Sequence, residues 1–333
     1  LRRPLFKIGA YWLGISIYLI LYVALIDLLR WIYSKVFKDK YNDFYARTIC
    51  ALLIIVLTGV TSIYGIINAK IVRTTEYDIT INKDGGNFKE MTIAMFGDPQ
   101  FGYNIGEYHL KQAVDIINKN DVDIVCVVGD IFDNQYSAIK NPDKLIDLFN
   151  QIKSKYGMYA VLGNHDVEEP ILCGFTFNDG DLANKLASKE MLDFIKKSGM
   201  VLLYDENVII NDSVNLYGRA DQERPNLGNI TRKESGDIFK EVDTTKPLFV
   251  LDHEPREYDE LEKAGVDLMM AGHTHDGQLW PTKIATDIIW ENPYGLWVKN
   301  AFHAITTSGL GLFGPNMRVG TIAEVCIIHV KFR

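Results

Sequence analysis

Two stretches without charge set the first limit on this chain. Ile8–Ile26 carries no Asp, Glu, Lys or Arg over 19 residues, and Thr48–Ala69 none over 22, against the ~20 apolar residues a membrane-spanning helix needs. A soluble helical hairpin of that composition would need a core surrounding it on every side. Both runs therefore read as transmembrane helices, about 8–29 and 48–69, and residues 1–70 as a membrane anchor. Tyr11, Trp12, Tyr22, Trp31, Tyr33 and Tyr64 lie toward the ends of the runs, where an aromatic belt is expected. The connector bears Arg30, Lys35, Lys38, Lys40 and Arg47, whereas only Lys70 and Arg73 follow the second run. That asymmetry places the connector in the cytoplasm and the large remainder outside the cell membrane, although Arg2, Arg3 and Lys7 pull the other way. Leu1–Lys7 resembles a twin-arginine export signal, but the run behind it lacks a small-x-small cleavage site and a second span follows, so no cleavable leader is expected. The chain begins at Leu1, which leaves room for residues, even further spans, ahead of it.

Residues 71–90 are polar and glycine-containing and read as a linker, with a strand possible at Tyr77–Ile81. From Met91 a rhythm begins. Apolar runs Met91–Phe96, Ile124–Val128 and Met158–Leu162 alternate with helical patterns at Leu110, Ala113, Val114 and Ile117 and at Leu145, Leu148, Phe149 and Ile152. Alternation of this kind marks a layered α/β domain, here 91–333, with sheets buried between helices. A helix around Leu182–Lys197 then precedes Val201–Tyr204, Val208–Ile210 and Val214–Tyr217, which suggest a meander. Leu248–Leu251, Asp267–Ala271, Ala304–Thr307 and Val319–Val330 read as further strands. Hydrophobic content of 47% supports a large core, and a net charge of -8 without a long basic run argues against nucleic acid as a ligand. Cys50, Cys126, Cys173 and Cys326 are scattered without CxxC spacing, and buried free thiols are expected.

The strand ends carry the chemistry. They present Asp98 and Gln100, Asp130, Asn164 with His165, His253, and His273 with His275, and four of the seven histidines fall among them. Oxygen and imidazole donors without thiolate favour Mn, Fe or Zn. Two adjacent ions need a bridging carboxylate, for which Asp130 on the middle strand is the natural choice. Asp133 reads as a helix cap, Asp221 as a turn residue or a site residue, and Phe101, Tyr103, Trp280, Trp290 and Trp297 as core aromatics by default, with the lining of a substrate mouth or lipid contact as the alternative. Gly309-Leu310-Gly311 lacks the strand-to-helix context of a phosphate cradle.

Asp98-Pro99-Gln100, Gly129-Asp130-Ile131-Phe132-Asp133, Gly163-Asn164-His165-Asp166, Asp252-His253 and Gly272-His273-Thr274-His275 resemble, in order and spacing, the five motifs of the calcineurin-like metallophosphoesterases. The stretch Asp276–Pro281 and the late Gly309-Leu310-Gly311 resemble the membrane-anchored or exported branch related to UDP-2,3-diacylglucosamine pyrophosphatases. The resemblance implies two β-sheets packed face to face and flanked by helices, and two divalent metal ions. One ion would be held by Asp98, Gln100, Asp130 and His275, the other by Asp130, Asn164, His253 and His273, with His165 as the acid and Asp166 orienting it. It also implies hydrolysis of a phosphoric ester or pyrophosphate by metal-activated water, on a phosphorylated small molecule or a lipid-linked substrate at the membrane. Gln100 departs from the usual histidine at its position. A neutral amide oxygen is the weaker donor, which keeps open an alternative: a membrane-bound ligand sensor or scaffold that retains the fold.

Overall fold

The computed structural model describes residues 2–37, 43–172, 175–176, 185–224, 226–228, 232–238, 240 and 242–333. In chain order the elements are α1 (Arg2–Val36), α2 (Asp43–Asn68), β1 (Val72–Ile81), β2 (Glu90–Phe96), α3 (Glu107–Lys119), β3 (Ile124–Val128), α4 (Pro142–Phe149) and β4 (Met158–Val161). They continue with β5 (Ile171–Leu172), β6 (Phe175–Thr176), α5 (Lys189–Lys197), β7 (Met200–Leu202), β8 (Glu206–Ile210), β9 (Val214–Gly218), α6 (Ser235–Ile238) and β10 (Leu248–Leu251). Last come α7 (Tyr258–Lys263), β11 (Leu268–Ala271), α8 (Thr282–Ile289), β12 (Gly295–Lys299), β13 (Phe302–Thr306) and β14 (Ala323–Phe332).

Two mixed six-stranded sheets result, ordered β1-β14-β2-β3-β4-β7 and β12-β13-β11-β10-β9-β8. The strands β2, β3, β4 and β7 run parallel in the first, and β9, β10, β11 and β13 in the second. Strand periodicity explains how the sheets meet. Ile93 and Met95 of β2 and Ile124 and Cys126 of β3 point to one face and meet Phe249, Leu251, Leu268 and Met270 of the second sheet. Each such side chain contributes about 1.5–3 kcal/mol on burial. The alternate residues Ala94, Phe96, Val125 and Val127 face the other way, against Leu110, Ala113 and Ile117 of α3, Phe149 of α4 and Phe194 of α5. The outer face of the second sheet is covered by Tyr258 and Leu261 of α7 and Ile238 of α6. This is the sandwich the sequence led us to expect.

Three details differ. The runs read as a meander are divided between the sheets: β7 extends the first by pairing with β4, and β8 and β9 form a hairpin at the edge of the second. Short apolar runs fix strand character but not strand partner, because pairing is non-local. The strand expected at Tyr77–Ile81 begins five residues earlier, at Val72, and pairs with β14 along its whole length, so the sheet reaches back into the segment read as a linker. Helix α5 starts at Lys189, where Ser188 caps it by accepting from Met191 N; the expected start at Leu182 lies outside the described residues. Cys126 and Cys326 are buried free thiols, Cys50 is half-buried, and Cys173 lies outside the described residues.

Helices α1 and α2 are each long and apolar enough to cross a membrane. One end of the pair is packed into the rest of the chain. Phe6 stacks on Tyr103, Tyr18 donates to Trp280 O at 2.6 Å, and Asn68 Nδ2 donates to the carbonyls of Arg318 and Thr321. Gly14 and Gly65 both abut Met317, where a side chain on either would collide with it.

Candidate metal centre

Every expected donor sits on a turn leaving the carboxyl end of a parallel strand. Asp98 and Gln100 follow β2, Asp130 follows β3 and Asn164 follows β4; His253 follows β10, and His273 and His275 follow β11. Adjacent parallel strands deliver their ends side by side, which is where ligands of α/β sheets collect. Asp98, Gln100, Asp130, His273 and His275 hold φ between 44° and 72°, a left-handed conformation costing a non-glycine residue roughly 1–2 kcal/mol. Such strain persists only where the surroundings fix it, and it clusters at functional sites. Glycines supply the room. A Cβ on Gly163 would overlap Asp130 Oδ1 and stand 2.6 Å from the Asp130 amide nitrogen; one on Gly129 would stand 2.5 Å from His253 Nδ1. Gly311, in the loop after β13, approaches Pro99 closely and donates to Asp98 O at 2.9 Å, so this glycine pair backs the first donor turn.

The donors form two touching groups. In one, His253 Nε2 lies 3.3 Å from Asp130 Oδ2, 3.1 Å from Asn164 Oδ1 and 3.1 Å from His273 Nδ1. In the other, His275 Nε2 lies 3.4 Å from Gln100 Nε2 and 3.8 Å from Asp98 Oδ1, and Gln100 Nε2 lies 3.4 Å from Asp130 Oδ2. Asp130 touches both. Nδ1 of His253 is 2.9 Å from Val128 O, which can only accept, so Nδ1 carries a proton and Nε2 is the nitrogen that faces the cluster. Asp98 accepts the His273 amide at 2.9 Å.

Electrostatics make the same point. Burial pushes the Asp98 carboxyl up to about 7, with Asp130 adding to it, and burial drops the His273 imidazole to about 3. His275 is held well below its ordinary value by burial and by Arg318. Burial opposes charge on His253 too, but Asp130 and Asp98 reverse the effect and raise it. His273 and His275 are thus held neutral with their lone pairs free, while the carboxylates draw positive charge onto His253, as they would draw a cation. Gln100 Oε1 is buried without a hydrogen-bond partner among the described residues, a condition native interiors seldom leave standing. Asp130, His253 and His273 offer ligand atoms all within 4.8 Å of one another. A divalent cation, which needs carboxylate, amide oxygen and neutral imidazole, fits these residues.

His165 stands beside the cluster. Its amide donates to Asp130 Oδ1 at 2.8 Å and its Nδ1 pairs with Asn134 Oδ1. Asp166 does not touch the His165 ring: its carboxylate accepts the Phe132 amide at 2.9 Å and the Gly163 amide at 2.8 Å, tying two donor turns together. The ring is oriented by Asn134, which sequence reasoning missed because it lies in an aperiodic stretch after β3. Arg318, also missed, is fully buried, donates to the carbonyls of Ser308 and Gly311 and lies 3.5 Å from His275 Nδ1; a lone arginine in a turn gives no signal. Asp252 is held between Arg219 and Arg232 at 3.2 and 2.7 Å; burial works against its charge, yet the guanidinium groups keep its carboxyl below the ordinary range. Asp133 caps no helix: it is buried after the β3 turn, and burial raises its carboxyl to about 7. Asp221 closes a turn, Oδ1 accepting from the Glu223 and Arg224 amides, while its buried Oδ2 has no hydrogen-bond partner among the described residues. Trp290 is no core residue: it packs edge-on to His273 with Arg256 over its face.

Hard and borderline donors gathered at the strand ends of a two-sheet sandwich, with an imidazole poised alongside, define a metallohydrolase. Residues 91–277 match the family model described as calcineurin-like phosphoesterase, and the chain belongs to that family. It is a metal-dependent hydrolase of phosphoric esters. An uncharacterized metallophosphoesterase of Campylobacter jejuni is 27% identical over 300 residues, covering 88% of this chain and 73% of that one. A transmembrane protein with metallophosphoesterase domain from Danio rerio is 24% identical over 304 residues, covering 86% of this chain and 63% of that one. The crystal structure of a dimetal phosphatase from Danio rerio aligns with 66% of this chain and 88% of its own, at 14% identity and a TM-score of 0.40.

Proposed function

We propose that the chain hydrolyses phosphoric esters or pyrophosphates at a dinuclear centre and is anchored in a membrane by α1 and α2. Asp98, Gln100, Asp130 and His275 would hold one ion, and Asp130, Asn164, His253 and His273 the other. When bound, the ions supply Lewis-acid neutralisation of the phosphoryl oxygens and acidify water near neutral pH. The residues supply the rest. Asn134 holds the His165 ring and the Asp130 carboxylate its backbone amide, and Nε2 is the ring nitrogen left to face substrate. Burial lowers the basicity of His165; a phosphoryl anion beside it works the other way by Coulomb attraction. The ring then gives its proton to the departing oxygen, so that an alcohol and a phosphate leave. Phe313 packs beside this ring, with centroids 5.2 Å apart. Anchoring is supported by the apolar exposed surface of both helices and by the transmembrane relative.

The observation that carries the reading is the partnerless Gln100 Oε1 beside a cluster of carboxylate and imidazole donors fed by two sheets. Gln100 is also the one residue that favours the sensor alternative, since a weaker donor lowers affinity for the first ion. The deciding measurement is metal content by mass spectrometry together with p-nitrophenyl phosphate turnover in manganese. Two ions per chain are expected, with turnover falling about 10²–10⁴-fold in His165→Ala and disappearing in Asp130→Asn. Metal binding with turnover indifferent to both changes would leave the sensor. Retention of the protein in the membrane pellet after alkaline carbonate extraction checks the anchor.

A further inference from the structure

Above the donor cluster lies a cavity of about 590 Å³ with Gln100, Asp130, His165 and His273 on its floor. Its lining is largely apolar, and part of it belongs to the anchor: Leu13 and Ile17 of α1 line it together with Ala285 and Ile289 of α8. Tyr18 is only 1% exposed and bonded to Trp280 O, and Gly14 is pressed against Met317, so this wall is fixed to the catalytic body.

Helix α8 is unlike the other helices of the catalytic body. It buries no residue, and Ile284, Ile288 and Ile289 are 53%, 80% and 68% exposed. Lys283, paired with Asp276 and Asp287, keeps its charge on a different side. Apolar residues so exposed on one short helix, with exposed Trp280 just before it, mark a helix lying in a membrane interface rather than in water. The depth agrees. Exposed Trp12 and Trp31 lie 19 residues apart on α1, about 29 Å at the helical rise and close to the ~30 Å of a hydrocarbon core. Leu13 and Ile17 fall just inside that interval. Lys7, five residues before Trp12, falls just outside it at headgroup depth, and lines a second cavity with Arg3, Lys70 and Lys140.

We propose that the catalytic cavity opens sideways into the bilayer between α1 and α8, and that its substrate is a phosphoester or pyrophosphate whose apolar chain remains in the membrane while its phosphorus reaches the floor at Asp130. The inference rests on the hydrolase and anchor readings above and adds the substrate class and its route of entry. Water adds to phosphorus, the bond from phosphorus to the leaving oxygen breaks, and that oxygen takes a proton. The chain need never leave the bilayer, because the wall it passes is an extension of the spanning helix.

The test uses the full chain in phosphatidylcholine nanodiscs with manganese and two diesters of one leaving group, methyl and dodecyl p-nitrophenyl phosphate. The dodecyl ester partitions into the disc. A cavity open to the bilayer turns it over faster than the methyl ester by about tenfold or more, and the ratio falls by about tenfold when bulk is placed in the mouth by Ile17→Trp or, on the opposite wall, Ala285→Trp. A cavity open only to water reverses the preference, since the dodecyl ester is then withdrawn from it; that result, or a ratio unmoved by both variants, overturns the proposal. If neither diester is cleaved while p-nitrophenyl phosphate is, the hydrolase reading stands; if none of the three is cleaved, it has failed. In both cases a dodecyl phosphonate bearing a terminal photo-crosslinker decides the route. Labelling of α1 and α8 around Leu13, Ile17, Ala285 and Ile289, suppressed by excess unlabelled phosphonate, upholds it. Labelling elsewhere, or labelling that excess phosphonate leaves unchanged, overturns it.

Discussion

Gly163→Ala isolates the claim that close backbone approach builds the centre. The added Cβ would overlap Asp130 Oδ1 and lie 2.6 Å from the Asp130 amide nitrogen and 2.8 Å from His253 Cδ2. The turn cannot retreat, because it is held on three sides. Gly163 N donates to Asp166 Oδ2 at 2.8 Å, Gly163 O accepts from Asn226 Nδ2 at 2.8 Å, and the other Asp166 oxygen holds Phe132 N at 2.9 Å. Asp130 and His253 must therefore yield, by roughly 1 Å, to restore ordinary contact. Displacement of that size costs about 100-fold in turnover, and the crowding costs about 1–3 kcal/mol of stability. Gly59→Ala is the control: nothing lies within 4 Å of its Cβ, and it sits inside α2, so stability rises by up to about 1 kcal/mol through helix propensity. Manganese titration calorimetry, p-nitrophenyl phosphate turnover and denaturant unfolding read the three quantities. A Gly163→Ala protein with unaltered manganese affinity and turnover would refute the reasoning.

Asp166→Asn presents an NH2 group to one of two buried backbone amides and should cost about 1–3 kcal/mol in urea unfolding; no loss would mean that the carboxylate does not tie the turns. Asp221→Asn keeps an oxygen for the Glu223 and Arg224 amides but removes a carboxyl that burial raises to about 7. A raised value means that the fold favours the acid, so the stability the acid contributes below about 4 is lost as pH climbs through 7. Relative to wild type, the chelated variant gains about 3 kcal/mol between pH 5 and pH 8, read by unfolding at each pH; a flat difference would contradict it. Manganese at 100 times its dissociation constant should add about 2.7 kcal/mol to the unfolding free energy, and Asp130→Asn should abolish most of that gain in differential scanning calorimetry.

Much of this molecule is legible in its sequence because its core strands are covered on both faces. Ile124–Val128 reads as an unbroken β-branched run for that reason, and its observed bounds are those expected. Polar residues stopping such runs are conspicuous, which is why Asp98, Asp130, Asn164, His253, His273 and His275 were found together. What escaped notice depends on contacts between distant segments. Asn134 matters through its pairing with His165, 31 residues away, and Arg318 through His275, 43 residues away, and the loop carbonyls of Ser308 and Gly311, and neither has a periodic neighbourhood. Helix α8 escaped because no buried stripe marks it. The role expected of Asp166 was misassigned because proximity in sequence to His165 says nothing of where a carboxylate turns.

The donors come from both sheets, Asp98, Gln100, Asp130 and Asn164 from one and His253, His273 and His275 from the other. An ion held among them would act as a clasp across the seam, and the clasp would be the first thing to slip. Any substitution that lets the layers slide, such as trimming Met95 or Met270 in the core between the sheets, would be felt as weakened cation retention at temperatures where the backbone is still folded. Cation release is therefore a more sensitive gauge of seam integrity in this protein than its melting point.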